Sequence, residues 1–231
     1  MLQLLSWGPE GWLDEIMRGV RMTVGLALAT LPVGLVLGFL IALAKQSTEP
    51  TLRAAGNIYT TIFRGLPELL TLFLIYFGVA LPLFNWIMPG AGDQLTSFAA
   101  GLVALAFVFS SYASEVFLSA FRAIPRGQYE GGYAVGLSHA RTMRLIVLPQ
   151  LIRIALPGLT NLWLILLKDT SLVSAIGLSD ILRETAVAAR VTKAAFLFFG
   201  FACLIYLVLA VLSSFGINWI EKWVARKEPA R

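Results

Sequence analysis

Four long stretches of this 231-residue chain carry no charged side chain, and they constrain the fold more than any other feature. They contain 23, 24, 21 and 27 residues and end, in that order, just before Lys45, Asp93, Glu115 and Glu221. The hydrocarbon core of a bilayer is about 30 Å thick and about 20 helical residues cross it, so each stretch can span a membrane. A fifth stretch of 14 residues, between Arg153 and Lys168, spans only if polar residues at its ends enter the membrane or its interior packs against protein.

The composition supports the same conclusion. Hydrophobic residues make up 58% of the chain and charged residues only 13%, which is too apolar for an ordinary soluble domain of this length. We therefore predict an all-α membrane protein with about five transmembrane helices, folded as a single domain over residues 1–231. The expected spans cover roughly residues 22–44, 54–82, 95–120, a fourth stretch that begins near 152, and 194–220.

The end of the first span resembles a signal-peptide cleavage site, with Ala42, Leu43 and Ala44 in sequence. Signal cores are usually about 7 to 15 residues long and follow a basic region. This span is longer, and it follows Asp14 and Glu15 as well as two arginines. We expect the segment to remain in the protein.

The basic residues flank the hydrophobic stretches and do not form one basic face, which argues against a nucleic-acid partner. With five spans and a cytoplasmic C-terminus, eleven of them fall on the inside: Lys45, Arg53, Arg122, Arg126, Arg141, Arg144, Arg153, Lys222, Arg226, Lys227 and Arg231. Five fall outside: Arg18, Arg21, Arg183, Arg190 and Lys193. Short cytoplasmic loops carry an excess of Lys and Arg, so we predict an N-terminus outside and a C-terminus in the cytoplasm.

A polar segment at residues 121–151 interrupts the hydrophobic pattern. Its charges, glycines and prolines exclude a span, so we predict a cytoplasmic excursion. Gly131, Gly132 and Gly136 remove side chains along one stretch, which permits another protein to approach closely. The residues alone fit a second interpretation equally well, namely a helix that lies on lipid headgroups with its arginines toward the phosphates.

A resemblance to a known family decides between these two interpretations. Glu130-Gly131-Gly132, three further residues, Gly136, nine residues and Ile146-Val147-Leu148-Pro149 resemble the signature loop of ABC importer permeases, written EAA, three residues, G, nine residues, I-x-LP. Two glycines replace the two alanines of that pattern, at a cost of about 0.5 to 1 kcal/mol each in a helix. In the family this loop holds a coupling helix that lies in a cleft of the ATPase subunit. The resemblance implies an ATPase-coupling surface in residues 121–151, which we call the coupling loop, formed by Glu130, Gly131, Gly132, Gly136, Ile146, Leu148 and Pro149.

Three further segments narrow the family. Residues 63–67, 111–115 and 167–172 resemble the corresponding stretches of polar amino-acid permeases of the histidine, arginine and octopine/nopaline type. Together with the signature loop they extend the resemblance across about residues 22–220. The chain departs from the pattern at Leu118 and Ser119, where those permeases commonly read Arg-Gly, so any role of that arginine is not available here.

The resemblance also implies a fold, a location and partners. The fold is that of a type I ABC importer permease in a bacterial cytoplasmic (inner) membrane. The implied partners are a dimer of ABC ATPases that holds ATP and Mg²⁺, a second permease that is identical or related, an external solute-binding protein and an amino-acid substrate. The chain lacks a G-x-x-x-x-G-K-[ST] phosphate loop, so ATP hydrolysis is expected on a separate chain and no cofactor on this one.

Ionisable residues at or in the predicted spans are the candidates for a substrate pathway. A charge at the bilayer centre costs on the order of 2.5 to 3.5 kcal/mol, so such residues usually line a cavity or pair with one another. The candidates are Arg64, Glu68, Glu115, Lys168 and Asp169. Arg64 and Glu68 would share one helical face if the helix continues through Pro67. They fit either an internal ion pair or a site in which Glu68 attracts a cationic substrate and Arg64 its carboxylate.

The remaining candidates are less specific. Lys168 and Asp169 are adjacent and point about 100° apart on a helix, so we expect them to stabilise an outer gate or the contact with the second permease. Glu115 fits either the pathway or pairing between subunits. An acidic residue at the position of Glu68 resembles permeases for basic amino acids, which favours arginine, lysine, ornithine, histidine or a derived opine as the substrate.

The predicted function is therefore the membrane-spanning subunit of an ATP-driven amino-acid importer. The alternative is a secondary transporter driven by an ion gradient, for which broken helices and midplane charges also serve. An intramembrane enzyme is disfavoured, because no His or Asp cluster has metal-ligand spacing and the only histidine, His139, lies in the coupling loop. We predict neither catalytic nor metal-binding residues.

Overall fold

The computed structural model describes residues 2–8, 11–90 and 92–225, with side chains for residues 4–8, 11–90 and 92–222. Arg226, Lys227 and Arg231, three of the basic residues predicted to face the cytoplasm, lie outside these ranges. The helices are α1 (Leu13–Gln46), α2 (Pro50–Gly65), α3 (Glu68–Ile75), α4 (Leu81–Ile87), α5 (Asp93–Ala123), α6 (Arg126–Ala134), α7 (His139–Thr142), α8 (Leu148–Asp169), α9 (Ile181–Thr192) and α10 (Ala195–Ala225). Shorter 3-10 or π-helical segments cover Leu2–Leu5, Tyr76–Ala80, Met143–Val147 and Thr170–Ile176.

Five helical runs among the described residues are long and apolar enough to cross a membrane. They are Leu13–Gln46, Glu68–Ile87, Asp93–Ala123, His139–Ile176 and Ala195–Lys222. No strand occurs in the described part of the chain. The all-helical class and the number of spans are confirmed. The helical runs that contain the first and fourth spans begin at Leu13 and His139, before the predicted starts of those spans at Met22 and near Ile152.

Small residues let α1 and α5 approach closely at the centre of the fold. A Cβ atom on Gly34 would lie 2.4 Å from Phe109 Cδ1, and one on Gly38 would lie 2.7 Å from the Cβ of Ala113. Ala42 continues the same row one turn later and is fully buried. A small residue at every fourth position is the usual way for membrane helices to pack, because dispersion contacts replace the hydrophobic effect there. Helices α1 and α5 are therefore packed closely along this row of small residues.

The second predicted span is broken. Helix α2 ends at Gly65, Leu66 is extended, and α3 begins at Glu68 after Pro67. Proline restricts the residue before it to extended backbone, which explains the position of the break. A shared helical face for Arg64 and Glu68 required a helix that continues through Pro67, and the break removes that condition. The apolar run is instead α3 to α4, joined through the π-helical turn Tyr76–Ala80.

Helix α9 is anchored against α1 at its first turn. The carboxylate of Asp180 caps α9 by accepting hydrogen bonds from the backbone N–H of Arg183, at 2.9 Å, and of Leu182, at 3.3 Å. A Cβ atom on Gly19 of α1 would lie 2.8 Å from the carbonyl oxygen of Asp180. Asp180 is completely buried, and this burial raises its pKa to about 6.

Candidate functional site

Charged and aromatic side chains meet where α1, α2, α3 and α5 converge. We call this group the central charge cluster, and its members are Lys45, Arg64, Glu68, Tyr112 and Glu115. Three of the five are predicted pathway residues. Lys45 and Tyr112 were not among the candidates.

Glu115 is paired within its own chain. The ammonium group of Lys45 donates to the Glu115 carboxylate and also to Thr60 Oγ1, at 3.1 Å. The side chain of Lys45 is only 6% exposed, whereas that of Glu115 is 31% exposed. A nearly buried ammonium needs an anion because burial otherwise penalises its charge. The ion pair of Lys45 and Glu115 therefore lies within one chain and joins the end of α1 to α5.

Arg64 also turns toward Glu115 rather than toward Glu68. Its guanidinium lies 3.5 Å from the Glu115 carboxylate and 5.6 Å from the centre of the Tyr112 ring. The second distance is within the range of a cation–π interaction. Because the helix breaks between Arg64 and Glu68, their spacing of four no longer brings them together. The Arg64–Glu68 ion pair that the sequence allowed is absent.

Glu68 accepts a hydrogen bond from a tyrosine instead of an ion pair from arginine. The hydroxyl of Tyr112 donates to Glu68 Oε1 at 3.0 Å. Glu68 is also the first residue of α3, where the helix dipole stabilises a negative charge. These two interactions hold the carboxylate in place without neutralising it.

Asp169 lies on the same small cavity as Glu68. The other residues that line this cavity are apolar: Leu72, Leu105, Val108, Phe109, Leu166 and Leu172. Lys168, the neighbour of Asp169, is exposed, because adjacent residues on a helix point in different directions. Two carboxylates therefore face one cavity whose lining contains no basic side chain.

The cavity is closed in this conformation. Its volume of about 10 Å³ does not exceed that of a single water molecule. A second, apolar cavity of 370 Å³ lies between α1, α8 and α10, with Leu31, Leu159 and Ile217 in its wall. It offers no pair of charges for an amino acid, so the cavity between Glu68 and Asp169 is the better candidate for a substrate site.

The signature glycine of the coupling loop ends α6 in a defined motif. Gly136 has φ of +81°, and the N–H of Leu137 donates to the carbonyl of Gly132 at 3.0 Å. The N–H of Gly136 donates to the carbonyl of Tyr133, also at 3.0 Å. This is a Schellman motif, in which a left-handed residue closes the helix and glycine is strongly favoured. The glycine of the signature sequence therefore stands at the position where the end of α6 requires a left-handed residue.

The two glycines that replace alanines in the loop have different surroundings. A Cβ atom on Gly132 would lie 2.6 Å from Thr142 Cγ2 and 3.1 Å from Ile146 Cδ1, whereas one on Gly131 meets nothing within 4 Å. Gly132 is buried, and Glu130, Gly131 and Gly136 are exposed along α6. The close contact of Gly132 with Ile146 thus fastens the first half of the motif to the second.

The rest of the predicted coupling surface lies at the start of the fourth span. Leu148 is partly buried against the core, and Pro149 is exposed in the first turn of α8, where its missing N–H is not needed. His139 is exposed and is held through its Nδ1 by the hydroxyl of Tyr133, at 2.8 Å. The structure therefore brings the predicted coupling residues together around α6 but gives them unequal access to a partner.

Comparisons with known proteins identify the family of this chain. Residues 34–227 match the family model of the binding-protein-dependent transport system inner membrane component. This chain belongs to that family. It is 40% identical over 229 residues to the nopaline transport system permease protein NocQ of Agrobacterium fabrum, with 97% of each chain covered. It is 39% identical to the arginine ABC transporter permease protein ArtQ of Haemophilus influenzae, with 94% of this chain and 96% of that protein covered.

Solved structures support the assignment. An amino acid ABC transporter crystallised with histidines has a chain that is 29% identical to this one, with a TM-score of 0.77 and coverage of 91% of this chain and 94% of that chain. The MetNI methionine ABC transporter, 18% identical, shares the fold with a TM-score of 0.74 over 91% of this chain and 96% of that chain. The chain is thus a multi-pass inner-membrane subunit with the type I importer fold, and ATP hydrolysis belongs to a separate chain.

Proposed function

We propose that this chain is the permease subunit of an ATP-driven importer for cationic amino acids or opines derived from them. The observation that carries the proposal is the position of Glu68 and Asp169 on one cavity without a basic neighbour in its lining. Two carboxylates in one apolar wall repel each other, and a cation bound between them relieves that repulsion and gains two charged partners. The nopaline, octopine and arginine transport permeases among its relatives are consistent with this substrate class.

The closed cavity implies that transport moves a wall. Helix α3 carries Glu68 and lies between the break at Leu66 and the π-helical turn at Tyr76–Ala80. Irregular helical turns of both kinds concentrate bending at defined points. We propose that α3 moves relative to α5 and α8 to open the cavity alternately to the two sides of the membrane.

The partners follow from the same proposal. A dimer of ABC ATPases binds ATP and Mg²⁺ and contacts the coupling loop through Glu130, Gly131 and Gly136, which are exposed. Gly132, Ile146, Leu148 and Pro149 support that surface from below. A second permease, identical or related, supplies the other half of the pathway, and an external solute-binding protein delivers the substrate. With the N-terminus outside, the receptor-facing side includes a polar cavity of 190 Å³ lined by Glu15, Arg18, Met22, Gln94, Ser179 and Glu184.

Uptake by proteoliposomes tests the energy source. The permease is reconstituted with its ATPase, and the receptor and labelled arginine are added outside. We expect uptake that requires ATP inside and is indifferent to a proton or sodium ionophore. Uptake that collapses with the ionophore and ignores ATP would establish the secondary transporter instead.

A bulky substitution on α6 tests the coupling surface. Glu130→Trp places a large ring on the exposed face of α6 and should lower both co-purification with the ATPase and substrate-stimulated ATP hydrolysis. Glu49→Trp, at the exposed turn between α1 and α2, is the matched control. Equal behaviour of the two variants would remove the coupling loop from the mechanism.

A further inference from the structure

Tyr112 stands between two opposite charges in the central charge cluster. Its hydroxyl donates to Glu68 at 3.0 Å, and its ring lies 5.6 Å from the guanidinium carbon of Arg64. Both interactions come from one side chain on α5, while the two charges lie on opposite sides of the break between α2 and α3. Tyr112 therefore contacts both groups at once, Glu68 through its hydroxyl and Arg64 through the face of its ring.

The second restraint on Arg64 is an anion that is itself anchored. Glu115 lies 3.5 Å from Arg64 and also accepts from Lys45, whose side chain is nearly buried. Lys45 is in turn fixed by Thr60 Oγ1 at 3.1 Å. Arg64 thus has a counter-ion in Glu115 and an aromatic contact in Tyr112, and neither of them is Glu68.

The consequence concerns the charge of the substrate cavity. If Arg64 paired with Glu68, the cavity shared by Glu68 and Asp169 would lose half of its negative charge, because an ion pair presents little net charge to a third group. In the structure Glu68 accepts instead from a neutral hydroxyl, which orients the carboxylate and leaves its charge intact. A guanidinium would bind the carboxylate more strongly but would also cancel its charge, whereas the hydroxyl of Tyr112 restrains its direction and adds no positive charge.

We propose that Tyr112 is a positioning and specificity-determining residue for cationic substrates. Its ring holds Arg64 against Glu115, and its hydroxyl orients Glu68 toward the cavity. The selectivity for a cationic over a neutral amino acid then depends on a residue that need not touch the substrate. This inference rests on the proposed function, because it takes the cavity of Glu68 and Asp169 as the substrate site.

The experiment compares two hydroxyl deletions in the same region of the protein. Tyr112→Phe removes the donor to Glu68 and keeps the ring beside Arg64. Tyr59→Phe is the matched control, because the hydroxyl of Tyr59 donates to the carbonyl of Phe107 at 2.8 Å and contacts Ser110. Both variants are assayed in the complete transporter for uptake of arginine and of glutamine, together with the thermal midpoint of unfolding.

The expected result is a change in selectivity with little change in stability. A hydrogen bond contributes about 1 kcal/mol, so Tyr112→Phe should raise the KM for arginine about fivefold, with kcat and the KM for glutamine nearly unchanged. Tyr112→Leu, which also removes the ring, should lose more of the preference for arginine because Arg64 is then free to turn toward Glu68. Tyr59→Phe should leave the ratio of the two substrates as in the wild type.

The outcomes separate this inference from the proposed function. If the wild type takes up no cationic substrate, or Glu68→Gln has no effect on arginine uptake, the proposed function fails. If Glu68→Gln reduces arginine uptake but Tyr112→Phe and Tyr59→Phe have the same substrate ratio, only the inference about Tyr112 is wrong. In the double variant of Tyr112→Phe and Glu68→Gln, a loss equal to the product of the single losses also contradicts it, since the two residues would then act independently.

Discussion

Lys45 at the end of α1 donates to Glu115 on α5, across 70 positions of sequence. Arg64 on α2 lies 3.5 Å from the same carboxylate. One anion thus connects three helices, and it has two cations for one negative charge. The charge of Lys45 needs Glu115 more than the charge of Glu115 needs Lys45, because Lys45 is less exposed and Glu115 also has Arg64.

This dependence predicts an asymmetry in stability. Glu115→Leu leaves a nearly buried ammonium with only Thr60 as a partner and should lower the free energy of unfolding by about 1 to 3 kcal/mol. Lys45→Met should cost less, because Glu115 keeps Arg64 and is partly exposed. The double variant should be more stable than the sum of the single losses predicts, which thermal unfolding in detergent measures.

A surface ion pair of the same chain provides the control for this cycle. Arg18 and Glu15 are 2.7 Å apart on α1, but the arginine side chain is 66% exposed. Exposed pairs of this kind contribute about 0.2 to 1 kcal/mol, so the corresponding double variant should show nearly additive losses. Equal coupling in the two pairs would contradict a structural role for Lys45.

Removal of a carboxylate from the cavity shared by Glu68 and Asp169 should selectively weaken the binding of cationic substrates. Glu68→Gln or Asp169→Asn should raise the KM for arginine about tenfold, equivalent to about 1.4 kcal/mol, while glutamine uptake does not fall. The control is Glu49→Gln at the exposed turn between α1 and α2, which does not line this cavity. A parallel loss for both substrates would indicate a damaged fold rather than a lost charge.

Substitution of Gly131 and of Gly132 by alanine should change the stability of the coupling loop in opposite directions. Gly132→Ala forces a methyl group to 2.6 Å from the buried Thr142 and should destabilise the loop by about 1 to 3 kcal/mol. Gly131→Ala meets no atom within 4 Å and should stabilise α6 by about 0.4 to 1 kcal/mol. The thermal midpoint and the amount of co-purified ATPase measure the difference. Identical midpoints for the two variants would show that α6 shifts freely away from Thr142.

The stability of the protein should depend on pH through Asp180. Its pKa in the folded state, about 6, lies above the ordinary value of 3.8, so the folded state binds a proton more readily than the unfolded state. The stabilisation is complete below pH 3.8 and is lost as the pH rises through 6. From pH 5 to pH 7.5 the loss should be on the order of 1 kcal/mol.

Asp180→Asn removes this titration and keeps an N-cap residue for α9. The variant should therefore lose less stability than the wild type between pH 5 and pH 7.5, as measured by thermal unfolding. Glu49→Gln, at the exposed turn between α1 and α2, serves as the control and should follow the wild type. A pH dependence unchanged in Asp180→Asn would assign the effect to another group.

Part of the candidate site was accessible from sequence because its signals are local. The glycine spacing of the coupling loop reflects the Schellman motif at Gly136, and the break near Arg64 follows from Pro67. Both depend on residues within a few positions of one another. Lys45 gave no comparable signal, since a lysine at the end of an apolar stretch is also what membrane topology requires.

The amino-acid sequence by itself determined that the chain crosses a membrane, how many spans it has and where the polar segment of residues 121–151 interrupts them, because hydrophobic run length and backbone restrictions act along the chain. Only the tertiary structure decided how the membrane charges pair. Arg64 pairs with Glu115 although Glu68 is nearer in sequence, and Asp169 lines the same cavity as Glu68. Both arrangements arise because helix packing brings side chains from α1, α2, α3, α5 and α8 together. An ion pair depends on distance in space, and the sequence records only distance along the chain.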